Sequence, residues 1–244
     1  MSISTQSDSS PGSAASAAAG DRLGTELRRP PILSLRFFAV WQRNFRVWRK
    51  LMLPSLLGNF GEPVLYLLAL GYGLGQFVGE VEGMGYMVFL ASGIVCSAAM
   101  TGATFEALYS AFTRLTQQQT WAAMLAAPMN VDDVVLGEIA WAATKALINA
   151  SAIVLVAALL GLVAGPQALL VLPVILLAGF AFAGIAMIVT AVSPSYDFFL
   201  YYFTLVMTPM LLLSGVFFPL ESLPGAVQIG AQCLPLAHVV MLVR

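Results

Sequence analysis

The chain has 244 residues, of which 59% are hydrophobic and 9% charged, against about 25% charged in an ordinary soluble domain. So few charges cannot cover a water-facing surface. That excludes a soluble enzyme, a nucleic-acid-binding domain and a disordered tail protein, and a formal net charge of −1 points to no polyanionic partner. Two cysteines are too few for a disulfide framework or a cysteine-rich metal site, which leaves an all-α polytopic membrane protein.

Residues 1–30 are rich in Ser, Ala and Gly without apolar periodicity and read as a disordered tail. The alanine run Ala14–Ala19 has no hydrophobic segment before it and is not a signal-peptide cleavage site. Residues 31–50 carry an amphipathic helix. At about 100° per residue, Phe37, Phe38, Val40, Trp41, Phe45, Val47, Trp48 and Leu51 share one half of the wheel, and Arg36, Gln42, Arg43, Arg46, Arg49 and Lys50 the other. Asn44 is the misfit. Cations opposite Trp and Phe describe a helix lying in the membrane interface.

Residues 51–244 form the transmembrane domain. Crossing a bilayer core of about 30 Å takes about 20 apolar residues, which predicts five spans. They run over 51–78, interrupted by Glu62 and Pro63, then 85–108, 139–164, 168–192 and 198–220. The helix face bearing Gly71, Gly75 and Gly79 is bare of side chains, as close helix packing requires. Eight of the eleven Lys and Arg residues precede the first span, so the N-terminus is expected on the cytoplasmic side. The segment 109–137 is then cytoplasmic, and the loop bearing Glu80 and Glu82 is outside. Residues 221–244, broken by proline and glycine, are expected as short helices dipping into the outer leaflet.

Charges inside spans are costly and therefore informative. Glu62, Glu106, Glu138 and Lys145 are the intramembrane polar candidates. Glu138 and Lys145 lie seven residues apart on nearly one face, with Glu138 expected at a helix N-terminus. Lys145 either snorkels to the headgroups or pairs with Glu62 or Glu106 across the bundle. In 109–137, Tyr109 to Ala127 reads as a helix ended by Pro128, after which Asn130 caps a second helix with Asp133 reaching back to it. A helix, break and capped helix between two spans could dock a partner or simply connect them. The two lysines, Lys50 and Lys145, follow no glycine-rich turn, so ATP, where used, is bound by another subunit. His238, Cys96 and Cys233 have no metal-ligand spacing and read as structural.

The string FLASGIVCSAAMTGATFEALYSAFTRL (Phe89 to Leu115) resembles the signature region of ABC-2 type transporter permeases. LGEIAWAATKA (Leu136 to Ala146), SPSYDFF (Ser193 to Phe199), LSGVFFPLESLP (Leu213 to Pro224) and LPLAH (Leu234 to His238) resemble the lipo-oligosaccharide exporters of that family. The resemblance runs from about Trp41 to Arg244. It implies a homodimer of six-span halves in the lipid bilayer, each docked on a separate ABC ATPase subunit of the nodulation protein I type. ATP sits on that partner, and this chain binds no cofactor and is not an enzyme. The resemblance makes the segment after span two a coupling helix, about Tyr109 to Ala127, with Arg114, Leu115 and Trp121 as contacts, and Asp197 in a second, shorter contact. The sixth span is missing, so the chain is expected to be a fragment whose autonomous activity is in doubt.

Export of another amphipathic substrate, such as a drug, is the nearest alternative. A membrane-embedded acyltransferase would need a cluster of nucleophile, acid and base at one depth, which one histidine and scattered carboxylates do not supply. An ion-coupled secondary transporter would need inverted repeats, and none is evident.

Overall fold

The computed structural model describes residues 34–163 and 165–244, without the side chains of residues 53, 54, 56–60, 62, 166 and 167. The predicted tail at 1–30 and the side chain of Glu62 lie outside the described residues. The rest is helical. α1 is Phe37–Lys50 and α2 is Met52–Val78. A two-stranded hairpin, β1 (Glu80–Val81) and β2 (Met84–Gly85), pairs Glu80 with Gly85 and Val81 with Met84. Then follow α3 (Tyr86–Gln117), α4 (Thr120–Leu125), α5 (Val131–Leu159), α6 (Val171–Val192), α7 (Tyr196–Leu213), α8 (Gly225–Gln232) and α9 (Pro235–Val243). Among the described residues, α3, α5, α6 and α7 are long and apolar enough to cross a membrane, and α2 adds the shorter apolar stretch Pro63–Val78.

α3 is the axis of the bundle, with α2, α5, α6 and α9 packed on it. Its buried face is mostly small or branched (Ala91, Ile94, Cys96, Ala99, Ala103), around Phe89 and Leu90, which are fully enclosed. Gly71 of α2 meets Met87 of α3 and Gly75 meets Tyr86, as the stripe predicts. Gly79 instead takes φ +70° and ends the helix at the hairpin.

The boundaries of three spans differ from expectation. The second runs nine residues beyond Leu108, to Gln117, because no Gly or Pro follows Gly102 to stop it. Two π-helical turns, Glu106–Ser110 across the predicted end and Thr113–Gln117 beyond it, accompany this extension. The expected continuous helix Tyr109 to Ala127 is therefore broken, with Gln119 in the left-handed region at φ 50° and α4 restarting at Thr120. The third span starts at Val131 because the Asn130–Asp133 capping box forms, which places Glu138 two turns inside the helix and not at its N-terminus. The fifth ends at Leu213, where Gly215 turns the chain at φ +78°. Helices α8 and α9 meet at 86°, as a broken tail requires.

The amphipathic helix α1 lies against α5. Trp41 donates its indole N–H to Thr144 Oγ1 at 2.9 Å, and Phe45 and Trp48 meet Trp141 edge-on. Its apolar face is thus partly spent on protein, where the wheel alone suggested lipid. The N-terminal end is fixed by Ser34 donating to Asp133 at 2.6 Å and by Arg36 donating to the Pro128 carbonyl. Docking depends on Gly137, since a Cβ there would stand 2.5 Å from the Cβ of Val40 and 2.7 Å from the Phe37 carbonyl. Gly137→Leu is expected to lever α1 off α5 at a cost of about 1–3 kcal/mol, the range for overpacking. Limited proteolysis in α1 reads this out, and an unchanged cleavage pattern would show that the contact does not hold the helix.

Candidate functional site

Four charged side chains converge where α3, α5 and α1 meet. Glu106 and Arg114 come from the π-helical part of α3, and Glu138 and Lys145 from α5. In a regular α-helix, eight residues rotate position 114 about 80° past position 106. The π-helical turns underwind α3 and bring the two back toward one face. Arg114 Nη2 then lies 3.0 Å from Glu106 Oε1 and 2.5 Å from Glu138 Oε2, and Arg114 Nε donates to Glu138 Oε1 at 3.0 Å. The grip on Glu138 is bidentate, the geometry a guanidinium favours. Lys145 Nζ lies 3.3 Å from Glu106 Oε2 and 3.5 Å from Ser55 Oγ.

Neutral partners complete the cluster. Trp141 donates its indole N–H to Glu106 Oε1 at 2.9 Å, and Asn44 Nδ2 donates to Glu138 Oε2 at 3.1 Å. Arg43 Nη1 donates to Asn44 Oδ1 at 2.9 Å and Nη2 to Thr120 Oγ1 at 3.4 Å. Burial, and after it the Arg114 guanidinium, lowers the basicity of Arg43, while Glu138 acts in the opposite sense. Glu106 and Glu138 are 5% and 1% exposed. Two carboxylates and two cations cancel at the centre, which is the condition for keeping them buried.

Two cavities meet at this cluster. One, of about 510 Å³, lies within the bundle and is lined by Tyr66, Ile94, Ser97, Phe105, Asn149 and Phe217 among others. The second, of about 310 Å³, lies beside α1 and is lined by Arg43, Asn44, Trp48, Arg114, Gln118 and Trp141 among others. Ser55, Glu106, Ser110 and Lys145 line both. The lining of the first is amphipathic, combining the charged Glu106 and Lys145 and the polar Ser97 and Asn149 with the rings of Tyr66, Phe105 and Phe217.

Of the intramembrane candidates, Glu106, Glu138 and Lys145 come together, and Glu62 is undescribed. The coupling candidates separate. Arg114 is turned inward onto the two carboxylates, so its guanidinium is not on an outer face, because two buried acids outbid solvent for it. Leu115 is half-buried, and so is Trp121, which packs against the core with an indole N–H lacking an acceptor among the described residues. Asp197 is exposed in the first turn of α7. Sequence reasoning missed Asn44 as a partner, although its misplacement on the wheel was the available signal. Trp141 lies between Glu138 and Lys145 in the sequence, and nothing there marks its indole as a partner of Glu106. Among the described residues no three His, Cys, Asp or Glu side chains converge to hold a metal ion.

The chain matches the ABC-2 type transporter family over residues 36–244. It is 50% identical over 214 residues to nodulation protein J of Rhizobium meliloti (strain 1021), covering 88% of this chain and 82% of that protein. Against nodulation protein J of Rhizobium leguminosarum bv. trifolii it is 52% identical over 211 residues, 86% of this chain and 80% of that one. The nodulation protein J of Azorhizobium caulinodans is 35% identical over 181 residues, 74% and 71% of the two chains. No solved structure matches.

Proposed function

Because the chain belongs to the ABC-2 type transporter family, we propose that it is the permease subunit of an ATP-driven exporter that moves a lipo-oligosaccharide, or a related glycolipid or polysaccharide, out of a bacterial cell. The resemblance of the motifs between Leu136 and His238 to lipo-oligosaccharide exporters supports that substrate, and the relatives named nodulation protein J are in keeping with it. The observation that carries the reading is the neutralised charge cluster set between two cavities of a membrane-spanning bundle. The 510 Å³ cavity has both polar lining groups for sugar hydroxyls and apolar ones for an acyl chain.

The working unit in this proposal is two copies of the chain, each with an ABC ATPase subunit carrying the ATP, in the inner membrane with the N-terminus cytoplasmic. The exposed apolar faces of α2 (Leu65, Tyr66, Phe77) and α7 (Leu200, Tyr201, Leu205) suit lipid and the second copy. The ATPase contact falls to α4 and its flanks, within 109–137, where Leu125 is exposed beside half-buried Trp121, Leu115 and Met124. Asp197 supplies a second point and Arg114 acts from behind.

The test is to purify the chain from its native membrane, identify the subunits that accompany it, and measure ATP-dependent transfer in proteoliposomes. A copurifying ABC ATPase and ATP-dependent movement of a lipo-oligosaccharide support the reading. Transfer driven by an ion gradient without an ATPase overturns it, and ATP-dependent transfer of another amphipath alone overturns the substrate.

A further inference from the structure

Within the proposed transport reading, we infer that the Glu106–Lys145 ion pair is a gate across the neck between the two cavities. The two cavities share four lining residues, Ser55, Glu106, Ser110 and Lys145. Three of them are linked, since Lys145 reaches Glu106 Oε2 at 3.3 Å on one side and Ser55 Oγ at 3.5 Å on the other. The ammonium thus ties α5 to both α3 and α2 across the passage. Movement from the chamber beside α1 into the cavity within the bundle along these shared residues passes this contact.

The pair is built to part without stranding a charge. Glu106 keeps Arg114 at 3.0 Å and the Trp141 N–H at 2.9 Å on its other oxygen when Lys145 leaves. Lys145 has Asn149 one turn further along α5, on the lining of the same cavity. A buried charge deprived of every partner is strongly destabilising, so an intramembrane pair suited to opening needs such secondary partners. The Arg114–Glu138 contact is the opposite case, bidentate and further held by Asn44. It is the fixed side of the gate, and Lys145 the moving side.

The gate is also linked to the outside of the bundle. From Thr120 at the start of α4 a line of hydrogen bonds runs through Arg43 and Asn44 to Glu138, and so to Arg114 and Glu106. A displacement of α4 therefore reaches the carboxylate that holds Lys145.

The test places a reporter thiol behind the gate. Ser97 lines the bundle cavity and not the chamber beside α1. The parent for the test carries Ser97→Cys and Cys233→Ser with the fully buried Cys96 left in place, and the protein with Cys233→Ser alone is the unlabelled blank. The reagent is the impermeant methanethiosulfonate ethyltrimethylammonium, applied from the α4 side of the assembled complex in sealed vesicles. Lys145→Ala is expected to speed labelling about tenfold, the change that follows when a closed state loses its tenfold preference. Lys145→Arg, which restores the pair, is expected to label as slowly as the parent. Equal rates in the parent and Lys145→Ala overturn the gate. So does equally fast labelling in Lys145→Arg. If Lys145→Ala does not assemble, Glu106→Gln is read in its place against the same two outcomes. Labelling reports the neck whether or not the substrate or the ATPase is as proposed, so a failed gate and a failed transport reading remain distinguishable.

Discussion

Arg114→Ala is expected to be the most damaging single change, lowering stability by about 3–5 kcal/mol, the range for removing one partner of a buried charge network. In a chain of this size each kcal/mol moves the midpoint by about 2–4 °C. The guanidinium neutralises Glu106 and Glu138 together, and the second carboxylate is 1% exposed. Without it Glu138 loses its bidentate partner and keeps the Asn44 amide, while Glu106 keeps Lys145 and the Trp141 indole. Thermal unfolding in detergent measures the effect. A double change, Arg114→Met with Glu138→Gln, is expected to recover part of the loss, because the acid stranded by the single change is gone. A midpoint for Arg114→Ala within about 2 °C of the parent would mean that water reaches the carboxylates and the cluster is not a buried network.

Trp121→Ala is expected to weaken ATPase binding about thirtyfold, the effect of losing a contact worth about 2 kcal/mol at an interface centre. Trp121 sits in the six-residue α4, half-buried against the core, so the indole both seats the helix and forms part of its outer surface. Separating the roles takes a second change. Leu125→Ala alters an exposed side chain on the same helix and is expected to weaken binding without lowering the thermal midpoint. Binding is read by titrating the purified ATPase against the permease in nanodiscs. Parent-level affinity in both variants would move the contact away from α4.

Much of the fold could be read from composition and periodicity, because membrane spans obey one strong constraint: the backbone must satisfy itself inside hydrocarbon. The fourth span, uncharged over Ala168–Val192, comes out at its predicted bounds. The capping box at Asn130 and Asp133 is likewise a local pattern with a local consequence. What local patterns do not carry is the underwinding of α3. The absence of a breaker between Ala103 and Gln117 allows α3 to continue, but no residue there signals that it underwinds through two π-helical turns. Without that underwinding, Arg114 reads as a surface cation on a cytoplasmic helix, and its two carboxylates seem to belong to different places.

The candidate site was legible one residue at a time and not as an assembly. Glu106, Glu138 and Lys145 stood out because charge in a span is expensive, but their convergence depends on how α3 crosses α5. Asn44 shows the limit most clearly. An amide on the apolar half of a helical wheel signals that something polar waits opposite, and only the docking of α1 on α5 identifies it as Glu138. Gly137, which permits that docking, carries no signal in its own neighbourhood.

In the proposed mechanism ATP energy enters this permease through the segment between its second and third spans. A photoreactive amino acid placed at Met124, and separately at Glu82, in the intact complex tests it most directly. Irradiation is expected to crosslink position 124 to the ABC ATPase subunit and position 82 to no ATPase. An ATPase crosslink at 82 with none at 124 would contradict both the orientation and the route by which ATP energy enters.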